Sequence, residues 1–170
     1  DTDFRQREEQ GTWVYDMVDL GYNYRLPDVS CALGSAQLRR LPAWVERRRE
    51  IADRYGELLA PVQAIRTPTE PEDRKASWHL YPVRTVDAHG RTLEPLRAAA
   101  FSHLREHGIG VNVHYIPVHT QPWYRGLGFA PGDFPQAERY YAHAISLPMF
   151  PTLTEAQQAE VIAALGSALA

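Results

Sequence analysis

Residues 78–118, WHLYPVRTVDAHGRTLEPLRAAAFSHLREHGIGVNVHYIPV, carry the pattern that decides the fold. WHLYPVRTV (78–86) is aromatic and β-branched and predicts a strand, with Pro82 restricting where it pairs in a sheet. DAHG reads as a turn. From Leu93 to His107 the apolar residues Leu96, Ala100 and Leu104 recur at helical spacing, and Gly108 stands where a left-handed C-cap belongs. GVNVHYIPV (110–118) then predicts a second strand, with Val111 and Val113 on one face and Asn112 and His114 on the other. Strand, helix and strand at this spacing indicate an α/β chain.

The flanks extend the same order. Pro27 and Asp28 suit the first turn of a helix over about residues 28–40, where a missing N–H is harmless and a carboxylate meets the positive end of the dipole. That helix carries Ser30, Ala32, Gly34 and Ala36. A glycine in a helix interior costs about 1 kcal/mol relative to alanine, so close packing by another backbone is expected there. A second helix over about 42–59 is marked by Trp44, Val45, Ile51, Ala52, Tyr55, Leu58 and Leu59. Arg47, Arg48 and Arg49 are open to two readings, a solvated face or an anion site. Pro61 ends the helix, and RTPTEPEDRKA reads as a polar connection.

Downstream, TQPWYRGLG predicts a short helix or turn, and Asp133 is placed to cap a helix beginning at Pro135. ISLPMFP (145–151) predicts a short strand. Thr154 and Gln157 have capping-box spacing ahead of a last helix striped by Val161, Ile162, Leu165 and Leu169. The expected architecture is therefore α/β, with a long linking helix before a small sheet of about three strands covered by helices on one face.

The 170 residues suffice for one domain with a real core, and 44% hydrophobic with 23% charged is a globular balance. A net charge of -3 provides no general attraction to nucleic acid or to an anionic membrane. No apolar run approaches the roughly 20 residues of a membrane span. The single cysteine, Cys31, excludes an intrachain disulfide and sets the expectation of a reducing, cytoplasmic setting. The start at Asp1, in a polar stretch, sets the expectation of a piece of a longer chain.

Three loops concentrate polar groups that a core does not need. GYNYR (21–25) brings Tyr22, Asn23, Tyr24 and Arg25 together. Asn23 is suited either to donate its amide to a phosphate or to cap a turn. Arg25 offers a planar fork to phosphate or carboxylate, or a partner for a nearby acid. HYIPVHTQPWY (114–124) places His114, Tyr115, His119, Gln121 and Tyr124 at or beyond a strand end, a usual position for ligand contacts in α/β folds. The two histidines lack the spacing and companions of a metal set, whereas neutral imidazoles hydrogen-bond well to a polyhydroxyl ligand. In KASWHLYP, His79 is open to a buried structural role or a catalytic one. Nucleophile-elbow, P-loop and dinucleotide fingerprints do not occur.

GYNYRLPDVSCALGSAQLRRL, RRREIADRY, SWHLYPVR, LREHGIGVNVHYIPVHTQPWY and AISLPMFPTLTEAQ together resemble the C-terminal part of sugar-nucleotide aminotransferases of the DegT/StrS type. The resemblance covers nearly all of residues 13–169. HYIPVHTQPWY with AISLPMFP is most similar to members that aminate a UDP-4-keto-6-deoxy-N-acetyl sugar. The resemblance implies a fold-type-I pyridoxal 5'-phosphate (PLP) enzyme, a homodimer with an active site shared between subunits, and glutamate as amino donor. It implies that Asn23, and less directly Arg25, holds the partner's PLP phosphate. His114, Tyr115, His119 and Tyr124 would face the UDP-sugar.

The family's cofactor-anchoring lysine follows a serine-containing motif upstream of the asparagine loop. Lys75, the single lysine, lies far downstream in the polar connection. No catalytic residue is therefore expected here, and the chain alone is expected to be inactive. The resemblance divides it into a loop of the large PLP domain (1–27), linking helices (28–60) and a C-terminal small α/β domain (61–170). Two alternatives stand beside this reading: a non-catalytic module that binds a nucleotide sugar or a partner, and a fragment of a PLP sugar dehydratase.

Overall fold

The computed structural model describes residues 11–22, 24–87 and 94–169. Among these, α1 (Asp28–Leu38) and α2 (Leu41–Leu59) precede β1 (Ile65–Arg66), β2 (Tyr81–Thr85) and α3 (Glu94–Glu106). A 3-10 turn (Val118–Thr120), α4 (Pro122–Gly126), α5 (Pro135–His143), β3 (Ala144–Leu147) and α6 (Glu155–Ala168) follow. No helix of the described residues is long and apolar enough to cross a membrane.

The sheet has three strands in the order β1-β2-β3, both pairings antiparallel. Tyr81 faces Leu147 and Val83 faces Ile145, so these four share one side and build the core. Pro82 faces Ser146 and Arg84 faces Ala144 on the other side. α3 packs on β2 and β3, α6 packs on α3, and α2 packs on α6. Ile51, Tyr55, Leu104, Ile145 and Leu165 are fully enclosed in the resulting cluster.

Two strand assignments differ from expectation. Residues 110–118 make a single bridge to the sheet, in which Ser146 N–H donates to Asn112 O at 2.8 Å. The alternation survives, because Val111 and Val113 are buried, but Pro117 cannot donate and the chain turns away to form the site loop. The third strand is instead β1, two residues that are too short to show a period. Residues 11–20 form no helix or strand, yet Trp13 and Val14 are buried in the core. Trp13 stacks edge-on against Phe101 at 4.3 Å and lies beneath the Arg97 guanidinium at 4.5 Å.

Local signals at the helix ends held. Gly108 adopts φ 73°, and Ile109 N–H closes back to Leu104 O at 2.9 Å. Thr154 and Gln157 form both arms of the capping box. Asp133 differs: its carboxylate accepts the Ala130 N–H at 2.8 Å and closes a turn, while Phe134 occupies the N-cap position of α5.

The arginine run on α2 is only partly solvated, and its guanidiniums are engaged by groups of the chain itself. Arg48 Nη1 donates to Trp78 O (2.9 Å), His79 O (3.1 Å) and Met149 O (2.9 Å). Arg49 pairs with Glu70 at 3.0 Å and donates to Ala76 O, and Arg47 reaches Leu153 O at 3.0 Å. The three side chains thus bind the loops flanking β2 and β3 to one helix. His79, exposed on this connection, is not the buried histidine considered above. Replacing Arg48 with alanine strands three carbonyls, and charge-assisted hydrogen bonds make its loss about 2 kcal/mol in urea unfolding. Arg48→Lys is expected to recover only part of this, because an ammonium lacks the fork.

Candidate functional site

The loop after the Asn112 bridge is held by buried polar contacts. Gln121 Oε1 accepts the Met17 N–H at 2.7 Å and its Nε2 donates to Tyr15 O at 3.4 Å. Trp123 N–H donates to Met17 O at 2.9 Å, so residues 15–17 lie along residues 121–123. Gln121, grouped above with the ligand-contacting candidates, is buried and committed to this seam.

His114 and Tyr115 form one edge of the site. His114 Nδ1 is 2.8 Å from Ser146 Oγ, which joins the loop to the outward side of β3. Burial, and then His79 nearby, pushes the His114 imidazole below the usual histidine range. Tyr115 packs edge-on against His114 at 4.6 Å and remains 58% exposed. Beside it, burial raises the Tyr15 phenol, with smaller contributions from Tyr115 and Tyr141.

His119 and Tyr124 belong to a second surface. His119 is only 7% exposed, with Nε2 2.7 Å from Glu138 Oε1 and its ring 4.8 Å from that of Phe134. Glu138 also accepts the Gly132 N–H at 2.7 Å; that bond, followed by the one from His119, holds its carboxyl below the usual range. Around this pair Pro117, Val118, Tyr124, Phe129 and Phe134 line an apolar recess of about 340 Å³. Ser146 and Glu138 were not candidates from sequence. A serine inside an apolar strand was the one local sign of the first, and nothing local marks the second.

Asn23 lies outside the described residues. Its neighbours Tyr22 and Tyr24 are 85% and 83% exposed, their rings 6.2 Å apart. Arg25 is exposed as well and lines neither surface above. From Val18 to Leu38 the chain presents Val18, Leu20, Leu26, Val29, Leu33 and Leu38 to solvent, and α1 buries no residue. Gly34 has open space around it, so the close packing expected of this small-residue helix is not met within the described chain. Among the described residues no three His, Cys, Asp or Glu side chains converge on a metal position.

The titration of His114 has a definite sign. Its folded pKa lies below the ordinary 6.5, so as pH falls the unfolded chain takes up the proton first and stability declines from about pH 6.5 downward. The urea midpoint is expected to be lower at about pH 5.5 than at about pH 7.5, with His114→Gln flattening that difference. The lowered carboxyls of Glu138 and Glu70 act in a separate window, their stabilisation being lost only as pH falls below about 4.5.

A family model described as the DegT/DnrJ/EryC1/StrS aminotransferase family matches residues 3–166. The spore coat polysaccharide biosynthesis protein SpsC of Bacillus subtilis is 36% identical over 91% of this chain and 40% of its own length. A UDP-4-amino-4,6-dideoxy-N-acetyl-beta-L-altrosamine transaminase of Campylobacter jejuni is 38% identical over 80% of this chain and 35% of its own. The PMP-form of the putative sugar aminotransferase Spr1654 from Streptococcus pneumoniae superposes with a TM-score of 0.76 at 30% identity, over 98% of this chain and 41% of that one. The chain thus spans about two fifths of the length of the relatives it matches. With its three-stranded antiparallel sheet, flanking helices and preceding long helix, the chain belongs to the DegT/DnrJ/EryC1/StrS aminotransferase family.

Proposed function

We propose that this chain acts as the C-terminal portion of a PLP-dependent enzyme that transfers an amino group from glutamate to the C4 ketone of a UDP-4-keto-6-deoxy-N-acetyl sugar. The observation that carries the reading is the exposed apolar arm, residues 18–38, on a chain of this family. Unburied leucines, valines and tyrosines at this density are suited to a protein surface rather than to water. In the proposed homodimer the arm crosses to the other subunit, with Asn23 and Arg25 directed at the cofactor phosphate. Residues 28–60 link the two domains and 61–170 form the small one. Residues 1–27 would be a loop belonging to the large PLP domain; of its described part, Trp13 is buried in the core and Met17 joins the Gln121 seam before the chain reaches outward.

The exposed Arg25 guanidinium, three residues ahead of α1, suits a phosphate dianion in charge and shape. When bound, the cofactor supplies the electron sink for moving an amino group. This chain's residues then bind and orient. His114, fixed by Ser146, and the exposed Tyr115 hydroxyl offer donors and acceptors to a sugar, while His119 and Tyr124 shape the neighbouring wall. Lys75 is exposed on the polar connection, so we assign the covalent anchor to no lysine of these residues. That exposure also supports the second reading, a nucleotide-sugar-binding module without catalysis of its own.

The polypeptide encoded by the complete reading frame, purified with PLP, is expected to aminate a UDP-4-keto sugar at the expense of glutamate. Arg25→Ala should weaken cofactor retention about tenfold, measured by equilibrium dialysis. A folded protein that retains PLP and aminates no keto sugar nucleotide would favour the binding module. The arm has its own test in sedimentation. The present chain should self-associate, and paired Leu26→Asp and Leu33→Asp substitutions should reduce it to monomer without loss of helical signal, since neither side chain is buried.

A further inference from the structure

Gln121 does with its side chain what a strand does with its backbone. Its own N–H donates to Val118 O at 3.1 Å and ends the 3-10 turn, and its carbonyl accepts the Arg125 N–H at 3.0 Å as α4 begins. Pro122 beside it has no N–H to give. Residues 121–122 therefore have no backbone donor left for a ladder with residues 15–17. The buried side-chain amide supplies the missing rungs: Oε1 accepts the Met17 N–H at 2.7 Å and Nε2 donates to Tyr15 O at 3.4 Å. Trp123 N–H then closes on Met17 O at 2.9 Å, so both backbone groups of Met17 are paired with the loop. The position of this seam gives it a consequence. Met17 is followed by Val18, where the exposed apolar arm starts, and Gln121 stands between His119 and Tyr124 in the 114–124 loop. One buried amide thus joins the root of the arm to the middle of that loop.

We propose that Gln121 is a positioning residue that couples docking of the arm on a second copy of this chain to the order of the 114–124 loop. This rests on the reading above, in which the arm crosses to the other subunit. A root that is already fixed directs the arm before association, so less freedom is lost when it docks. A docked arm in turn holds Met17 in place and keeps Gln121 and Trp123 paired with it. Linkage makes the two effects reciprocal: whatever the seam contributes to association, association returns to the seam. In the proposed dimer, the loop on one subunit's ligand side is thereby joined to the arm that serves the other subunit's cofactor. Gln121 acts through Met17 and Tyr15 and touches no ligand in this scheme.

Sedimentation equilibrium of the full 170-residue chain gives its self-association constant, and amide exchange followed by NMR reports the seam at Met17 and Trp123. Gln121→Ala should weaken association about tenfold and speed exchange at both amides. Gln121→Glu keeps an acceptor for the Met17 N–H and loses only the longer bond to Tyr15 O, so it should remain within about threefold of the parent. The converse measurement uses the paired Leu26→Asp and Leu33→Asp substitutions, which leave Gln121 intact. That monomer should exchange the Met17 and Trp123 amides about tenfold faster than the associated parent, the same factor read in the other direction. Unchanged association in Gln121→Ala despite lost protection, or seam amides indifferent to the arm substitutions, would overturn the coupling and leave the arm reading intact. A parent chain that is monomeric at every concentration would overturn the arm reading and the coupling together. If Gln121→Ala does not fold, exchange in the arm variant decides the matter by itself.

Discussion

The small sheet depends on the grip of Arg48. Three strands, one of them two residues long, do not make a sheet that stands by itself. Tyr81 and Leu147 are paired at the end of the β2–β3 ladder, and the chain before one and after the other must be held at that end. A single guanidinium on α2 does so by donating to Trp78 O, His79 O and Met149 O. Arg49 and Arg47 extend the hold to the Glu70–Ala76 loop and to Leu153 O. With α2 pinned across that end, Tyr55 stacks on Tyr81 at 5.1 Å, and burial of both rings raises their phenol pKa values, that of Tyr81 to about 12. On its other side Ile51 O receives Gln158 Nε2 of α6 at 3.0 Å, so the helical layer is joined by a buried hydrogen bond as well as by apolar contact.

The same device recurs at the site. The stretch from His114 to Tyr124 has little regular structure, and three side chains substitute for a ladder. His114 reaches Ser146, Gln121 takes Met17 and Tyr15, and His119 takes Glu138. Each of those three is inaccessible or half-buried, where an unpaired polar group is costly, so each contact fixes the loop more firmly than a surface hydrogen bond would. The result is a loop that is irregular in backbone and fixed in place, with Tyr115 on its exposed edge and an aromatic hollow on its flank.

The arm is the opposite case. From Val18 to Leu38 the residues that would build a core point outward, while Trp13 and Val14 a few positions earlier are buried. Relatives more than twice as long align with this chain over nearly all of its length. An apolar helix without a buried face is suited to a surface beyond the chain's own core, as the proposed function assigns to it. That is the physical link between family membership and the proposed placement of Asn23 and Arg25 in trans.

The helices could be read directly from the residues. Periods of three and four marked α2, α3 and α6, Gly108 and the Thr154–Gln157 pair marked ends, and the GYNYR and HYIPVHTQPWY blocks marked the family. Those signals are local, set by backbone sterics and by which face is apolar, and they hold wherever the segment lies. Which strand completes the sheet was decided by tertiary structure: Ile65–Arg66 pairs with β2, whereas 110–118, despite its alternation, makes one bridge and leaves. The arginines of α2, the commitment of Gln121 and the pairing of His119 with Glu138 were decided there too. A long polar side chain reads identically in sequence whether it meets water or a carbonyl more than a hundred residues away, as Gln121 does at Tyr15 O and Arg48 at Met149 O. Only the packed chain brings that partner within hydrogen-bond reach.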